Sequence, residues 1–287
     1  MNPKNIAIDF SGELLKAALF PAGSGNPTPA PCLIICHGAF ERKENFFEFS
    51  EFLSNQGIGA IAVDMPGHGE SAGPRSHLDM GEWVKAIQTV IDYLSSDQSI
   101  DPDRIGAFGF SSGGTAVLEA ALVEPRIKAI ATLDATVRNY LNIWETVFFK
   151  SLVTASRVKK KLTGTGWRLN LLWVLNSANV AFDPAVNQQI INDPSLIEAY
   201  SAFPLPGAAA CAFVGTLDRV HQIQIPTLVM HGKEDRVDPP ETARLLFDAL
   251  TCEKSLELIP KSGHSGHLDS QKSAIMAHTS EWAQKYL

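Results

Sequence analysis

Gly109-Phe110-Ser111-Ser112-Gly113 stands between a mainly apolar run, Arg104-Ile105-Gly106-Ala107-Phe108, and a small-residue run of helical character, Gly114-Thr115-Ala116-Val117-Leu118. This is G-x-S-x-G at a strand-to-helix turn, the pattern of a nucleophile elbow. In so tight a turn a side chain at either flanking glycine collides with neighbouring backbone, while the serine hydroxyl is pushed out at the carboxyl end of the strand, above a helix N-terminus. Ser111 is the candidate nucleophile. A Gly/Ser-rich turn without chemistry reads the same over five residues, so the order of the motifs downstream decides.

Downstream, Ile225-Pro226-Thr227-Leu228-Val229-Met230-His231-Gly232 reads as a buried strand ending in a turn, and Lys233-Glu234-Asp235-Arg236-Val237-Asp238 sets carboxylates just past it. Asp235 is the candidate acid, with Asp238 and Asp134, at the end of the strand 127–134, as rivals. A last strand, Ser255 to Pro260, runs into Lys261-Ser262-Gly263-His264-Ser265-Gly266-His267, making His264 the candidate base with His267 as its rival; His267 is expected instead to begin or cap the final helix. A serine hydroxyl needs a base to remove its proton and an acid to fix the imidazole tautomer, so serine, acid and histidine, each just after a strand, form one constellation. The backbone N–H of Ser112 is expected as one oxyanion donor. The second is assigned to Ala39, which follows the hydrophobic strand Leu33-Ile34-Ile35-Cys36 and its His37-Gly38 end.

These segments, His37-Gly38-Ala39-Phe40 with Lys43-Glu44-Asn45, Asp64-Met65-Pro66-Gly67-His68-Gly69-Glu70-Ser71, the elbow, His231-Gly232-Lys233-Glu234-Asp235 and Gly263-His264, resemble the α/β-hydrolase superfamily and, within it, its serine esterases. They are similar to cinnamoyl/feruloyl esterases and to the monoacylglycerol-lipase and serine-aminopeptidase-like group. The resemblance runs from about residue 30 to the end, apart from a middle insert. It implies the α/β-hydrolase fold and hydrolysis of carboxylic esters of apolar acyl or aryl groups through an acyl-enzyme. The expected partner is a small-molecule ester substrate. A C–C hydrolase, a peptidase or an acyltransferase on the same three residues stays open, as does a non-catalytic ligand-binding homologue.

The rest of the chain agrees with an α/β architecture. Residues 5–20 alternate as a hairpin or two short strands, 21–31 are a turn-rich connector, 44–56 a helix with Phe46, Phe49, Phe52 and Leu53 on one face, and Ile58 to Asp64 a strand. Met80, Trp83, Val84, Ile87, Val90, Ile91 and Leu94 recur at helical spacing, which is core packing. Strands alternating with helices imply a mostly parallel sheet with helices on both faces. About ninety residues then pass before the strand at Ile225, too many for one crossover. Residues 1–135 and 223–287 are therefore expected to form the hydrolase core, and 136–222, made apolar by Trp144, Val147, Phe148, Leu152, Trp167, Leu171, Leu172, Trp173 and Leu175, a helical cap or lid whose aromatic and aliphatic residues build a pocket over Ser111. The basic run Arg157-Val158-Lys159-Lys160-Lys161 reads as a solvated face.

A formal net charge of -7 with 45% hydrophobic residues offers no basic surface to a polyanion, so nucleic acid is not an expected partner. No run of eighteen apolar residues occurs and the N-terminus lacks a secretory apolar core, so neither stable membrane insertion nor export is expected and a cytoplasmic location is. Cys32, Cys36, Cys211 and Cys252 are scattered and expected as reduced thiols. No cofactor is expected, because Gly106-Ala107-Phe108-Gly109 is out of register for a dinucleotide loop. No metal is expected either, since His264, His267 and Asp269 lack a helical ligand frame. His37, His68 and His231 are expected to bind loop carbonyls.

Overall fold

The computed structural model describes residues 3–23, 28–139 and 141–287; residues 24–27 of the expected connector lie outside that description. The first half runs β1 (Lys4–Phe10), β2 (Glu13–Phe20), β3 (Ala30–Cys36), α1 (Phe47–Asn55), β4 (Gly59–Asp64), α2 (Met80–Ser96), β5 (Ile100–Phe110), α3 (Ser112–Ala121) and β6 (Ile127–Leu133). After an insert come β9 (Thr227–Gly232), α9 (Glu241–Ala249), β10 (Lys254–Ile259) and α10 (Lys272–Tyr286), the insert itself holding α4 (Ile143–Thr163), β7 (Arg168–Leu169), α5 (Leu172–Ser177), α6 (Pro184–Ile191), α7 (Pro194–Ser201), β8 (Phe203–Pro204) and α8 (Leu205–Ala212). The sheet has eight strands in the order β1-β2-β4-β3-β5-β6-β9-β10. Only β2 runs against its neighbours, pairing antiparallel with β1 and β4; the other pairs are parallel.

Side chains alternate across a strand, and β3 shows what that does here. Ile34 enters a core shared with Trp83, Ile87 and Leu94 of α2, Val117 of α3 and Leu246 of α9. Leu33 and Ile35 enter the opposite core, against Phe49 and Leu53 of α1 and Ile275 and Met276 of α10. Helices thus cover both faces, and the central strands are apolar throughout because neither face meets water. Asp79 caps α2 by accepting the N–H of Glu82. The expected helix at 44–56 begins as a 3-10 turn, Lys43–Phe46, before α1.

In the insert, two Asp-Pro pairs start helices. Asp183 and Asp193 each accept two backbone N–H groups of the first turn, while Pro184 and Pro194 occupy the first helical positions, where no N–H is needed. A capping box at Asn142 and Glu145 opens α4, and Gly164, at φ 80, ends it. Val153 of α4 packs on Leu205 and Ala209 of α8, and β7 pairs antiparallel with β8. No helix among the described residues is long and apolar enough to cross a membrane.

Candidate active site

The carboxyl ends of β3, β5, β6, β9 and β10 converge on Ser111. It is the residue before α3, at φ 51 and ψ -118, a backbone conformation that L residues adopt at a cost of about 1–3 kcal/mol. The turn leaves no room beside it: a Cβ on Gly109 would fall into the Gly113 carbonyl, and a Cβ on Gly113 into the carbonyls of Cys36 and His37. The N–H of Ser111 donates to Leu133 O (2.9 Å), tying the strained residue to β6.

Ser111 Oγ stands 3.1 Å from His264 Nε2, and His264 Nδ1 stands 2.8 Å from Asp235 Oδ2. Asp235 Oδ1 accepts the N–H groups of Val237 (2.8 Å) and Asp238 (3.0 Å), which fixes the carboxylate plane. Burial pushes the Asp235 carboxyl up, but the imidazoles of His264 and His231 outweigh it and hold the group well below the usual carboxylate range. Burial in turn lowers the pKa of His264, and Asp235, followed by Asp134 and Asp238, more than reverses that, leaving the imidazole a stronger base than an ordinary histidine.

The rivals find other partners. Asp134 Oδ1 accepts the N–H of Gly232 (2.8 Å) and lies 3.7 Å from His231 Nε2, and burial raises its pKa despite His231. Asp238 Oδ2 accepts the hydroxyl of Thr136 at 2.5 Å. His267 neither begins nor caps α10, which starts at Lys272; it is buried, stacked on Phe46 at 4.4 Å and 3.1 Å from Glu41 Oε1. Phe46 and Phe110 fill the space around its ring, and that packing holds it away from the helix. His37, His68 and His231 lie 2.7, 3.0 and 2.9 Å from the carbonyls of Gly38, Pro66 and Asp238.

Ala39 and Ser112 line the cavity of about 250 Å³ into which Ser111 opens. The loop carrying Ala39 is held from two sides. Toward the core, Gly38 N–H donates to Glu41 Oε2, and the buried Lys43 ammonium sits 2.7 Å from the carboxylates of Asp64, Glu44 and Glu70. Toward the insert, Phe40, at φ 70, stacks on Tyr200 of α7 at 3.9 Å and meets Phe203 of β8 in a tilted contact at 4.3 Å, and Arg42 donates to Ser195 Oγ. Glu41 and Tyr200 also line the cavity, and no local sequence pattern marks either. The insert further braces the His264 loop: Ser265 N–H donates to Val180 O, and Asp269 accepts the N–H groups of Phe182, Asp183 and Gly263.

Of the apolar insert residues expected over Ser111, the aliphatic Leu175 lines the cavity and the tryptophans do not. Leu175, Val180, Ile190 and Leu196 line it, whereas Trp144, Phe148 and Trp173 are 78%, 58% and 70% exposed, and Trp167 is also exposed. Leu175 comes from α5, Ile190 from α6, Leu196 from α7 and Val180 from the loop between α5 and α6. Among the described residues, two carboxyl-rich clusters have metal-ligand spacing, Asp134-His231-Asp235 and Glu44-Asp64-Glu70. In the second the Lys43 ammonium takes the central place, and in the first the His231 ring already reaches Asp235 and the Asp238 carbonyl.

The sequence model of the serine aminopeptidase S33 family matches residues 27–271. The chain belongs to that family of α/β hydrolases. It is 28% identical over 275 residues to an uncharacterized 31.7 kDa protein of the traX-finO intergenic region of Escherichia coli, covering 90% of this chain and 91% of that one. Monoacylglycerol lipase of Mycolicibacterium smegmatis is 24% identical over 271 residues, 90% of each chain. Among solved structures, the α/β hydrolase GrgF from Penicillium sp. sh18 superposes with a TM-score of 0.82 at 18% identity, over 100% of this chain and 99% of that one. The chain is thus an α/β hydrolase with lipase and esterase relatives.

Proposed function

We propose that this protein is a serine hydrolase that cleaves carboxylic esters of apolar acyl or aryl groups through an acyl-enzyme on Ser111. The contiguous relay Ser111 Oγ, His264 Nε2, His264 Nδ1, Asp235 Oδ2, with steps of 3.1 and 2.8 Å, carries this reading. A proton on Nδ1, directed at Asp235, leaves the Nε2 lone pair facing the serine. As Ser111 Oγ bonds to the ester carbonyl carbon, its proton passes to Nε2 and the carbonyl oxygen becomes an oxyanion, which the N–H groups of Ser112 and Ala39 stabilise. Collapse breaks the bond to the alkoxy oxygen, which takes the proton from Nε2 and leaves as the alcohol. Water, deprotonated by the same nitrogen, then releases the acid and restores Ser111.

Residues 136–222 serve in this reading as a cap, because Leu175, Val180, Ile190 and Leu196 supply one wall of the chamber over Ser111. Each methylene buried there contributes about 0.8 kcal/mol, so kcat/KM on p-nitrophenyl esters is expected to rise about fourfold per added acyl carbon until the chamber fills. Ile190→Trp should end the rise at a shorter chain. Steady-state rates from acetate upward test this, beside methyl ferulate, a monoacylglycerol and an aminoacyl anilide; a profile unmoved by Ile190→Trp would take the acyl chain out of this chamber. Cleavage of the anilide alone would replace the esterase reading with the peptidase one.

A further inference from the structure

The apolar residues of α4 that do not roof the cavity form a surface of their own. Ile143, Trp144, Val147, Phe148, Val158 and Leu162 are each between 54% and 79% exposed. At 100° per residue they fall within a single outward sector of the helix, while Val153 and Ser156 mark the buried side facing the rest of the insert. Exposed apolar residues are ordinary when scattered; six on one face of one helix are not.

Charge identifies what covers this face. α4 carries Lys150, Arg157, Lys159, Lys160 and Lys161 against the single acid Glu145, on a chain whose net charge is -7. In helical projection Lys150, Arg157 and Lys161 border one edge of the apolar sector; Lys159, whose ammonium donates to Thr165 O, borders the other, and Lys160 lies on the opposite side of the helix. Long basic side chains beside an apolar stripe lie along it and carry their charge to its polar boundary, as at a headgroup layer. The Glu145 carboxylate accepts the N–H of Asn142 in the capping box, so it is committed to the helix end.

We propose that α4 is an interfacial helix that docks this protein on an anionic lipid surface, Trp144 and Phe148 entering the headgroup boundary and the flanking lysines and arginine meeting the lipid phosphates. The opposite side of α4 packs through Val153 on Leu205 and Ala209 of α8, the helix whose Cys211 lines the Ser111 cavity. Docking would therefore set that cavity near the lipid. The proposal does not rest on the reading of Ser111, since binding is read without turnover.

The test is co-sedimentation of the full chain with vesicles of phosphatidylcholine alone and with added phosphatidylglycerol. Binding is expected to the anionic vesicles and to weaken as salt is raised. Each cation near such a surface is worth roughly fivefold in partitioning, so the triple variant Lys150→Ala/Arg157→Ala/Lys161→Ala, which empties one edge of the apolar sector, should bind about a hundredfold less. Trp144→Ser/Phe148→Ser should lose at least tenfold while keeping wild-type Tm, because these side chains are exposed. Lipids brominated near the headgroup should quench tryptophan fluorescence in the wild type and much less in Trp144→Phe. Equal binding by wild type and both multiple variants, or no vesicle binding together with a dimer that Trp144→Ser/Phe148→Ser dissociates in sedimentation, would overturn the proposal.

Discussion

Ser111→Ala is expected to lose a factor of about 10⁴ to 10⁶ in kcat on any ester the wild type cleaves, with the fold intact. The hydroxyl forms the covalent bond in the proposed mechanism, and no neighbouring group replaces it: Ser112 Oγ faces the Cys211 thiol at 3.9 Å, and burial raises the pKa of that thiol. The backbone bond from Ser111 N–H to Leu133 O does not involve the side chain, so packing and the sheet are untouched. Because position 111 sits at φ 51, Ser111→Gly should be equally inactive and melt no lower than Ser111→Ala, the strain removed offsetting the added freedom of the unfolded chain. Purified Ser111→Ala retaining more than a tenth of the wild-type rate would sink the serine mechanism. Phenylmethylsulfonyl fluoride should add one mass increment to the wild type and none to the variant.

Which features the sequence discloses depends on how local their causes are. The elbow, the His37-Gly38-Ala39 turn and the Asp235 and His264 loops are short motifs at strand ends, each forced by backbone geometry within a few residues, so their places in the fold could be read directly. The same holds for α2, where one helical period separates core from surface. The interior of the insert was not legible in this way. Its apolar content is plain, yet whether Trp144 or Leu175 faces Ser111 depends on how α4 and α5 seat on the sheet, a long-range packing outcome. The stacking of Phe40 on Tyr200 and the pairing of Glu41 with His267 join residues from distant parts of the chain for the same reason. His267 comes one turn's spacing after His264, and only the burial of its ring between Phe46 and Phe110 distinguishes a packed histidine from a helix cap.

The partners of Ser111 yield the second large effect. His264→Ala should approach the loss seen with Ser111→Ala, and Asp235→Asn should cost about 10⁴ in kcat, since an asparagine holds the imidazole in the wrong tautomer. Asp238→Asn should cost far less, because Thr136 can donate to an amide oxygen as it does to the carboxylate. His267→Ala should act mainly on stability: it leaves Glu41 with the Gly38 N–H but without the imidazole, and it removes the ring stacked on Phe46. The pH profile separates the acids further. Only the neutral imidazole can take the serine proton, so kcat/KM should rise with pH as His264 deprotonates. Asp235 stabilises the charged ring, so the midpoint should lie above the ordinary histidine value of about 6.5. Removing that carboxylate removes the largest force raising the imidazole pKa, so the residual activity of Asp235→Asn should titrate with a lower midpoint, whereas Asp238→Asn should shift it less. A larger rate loss and a larger downward shift from Asp238→Asn or Asp134→Asn would transfer the acid's role to that residue, because the group that fixes the tautomer must be the one that most stabilises the protonated ring.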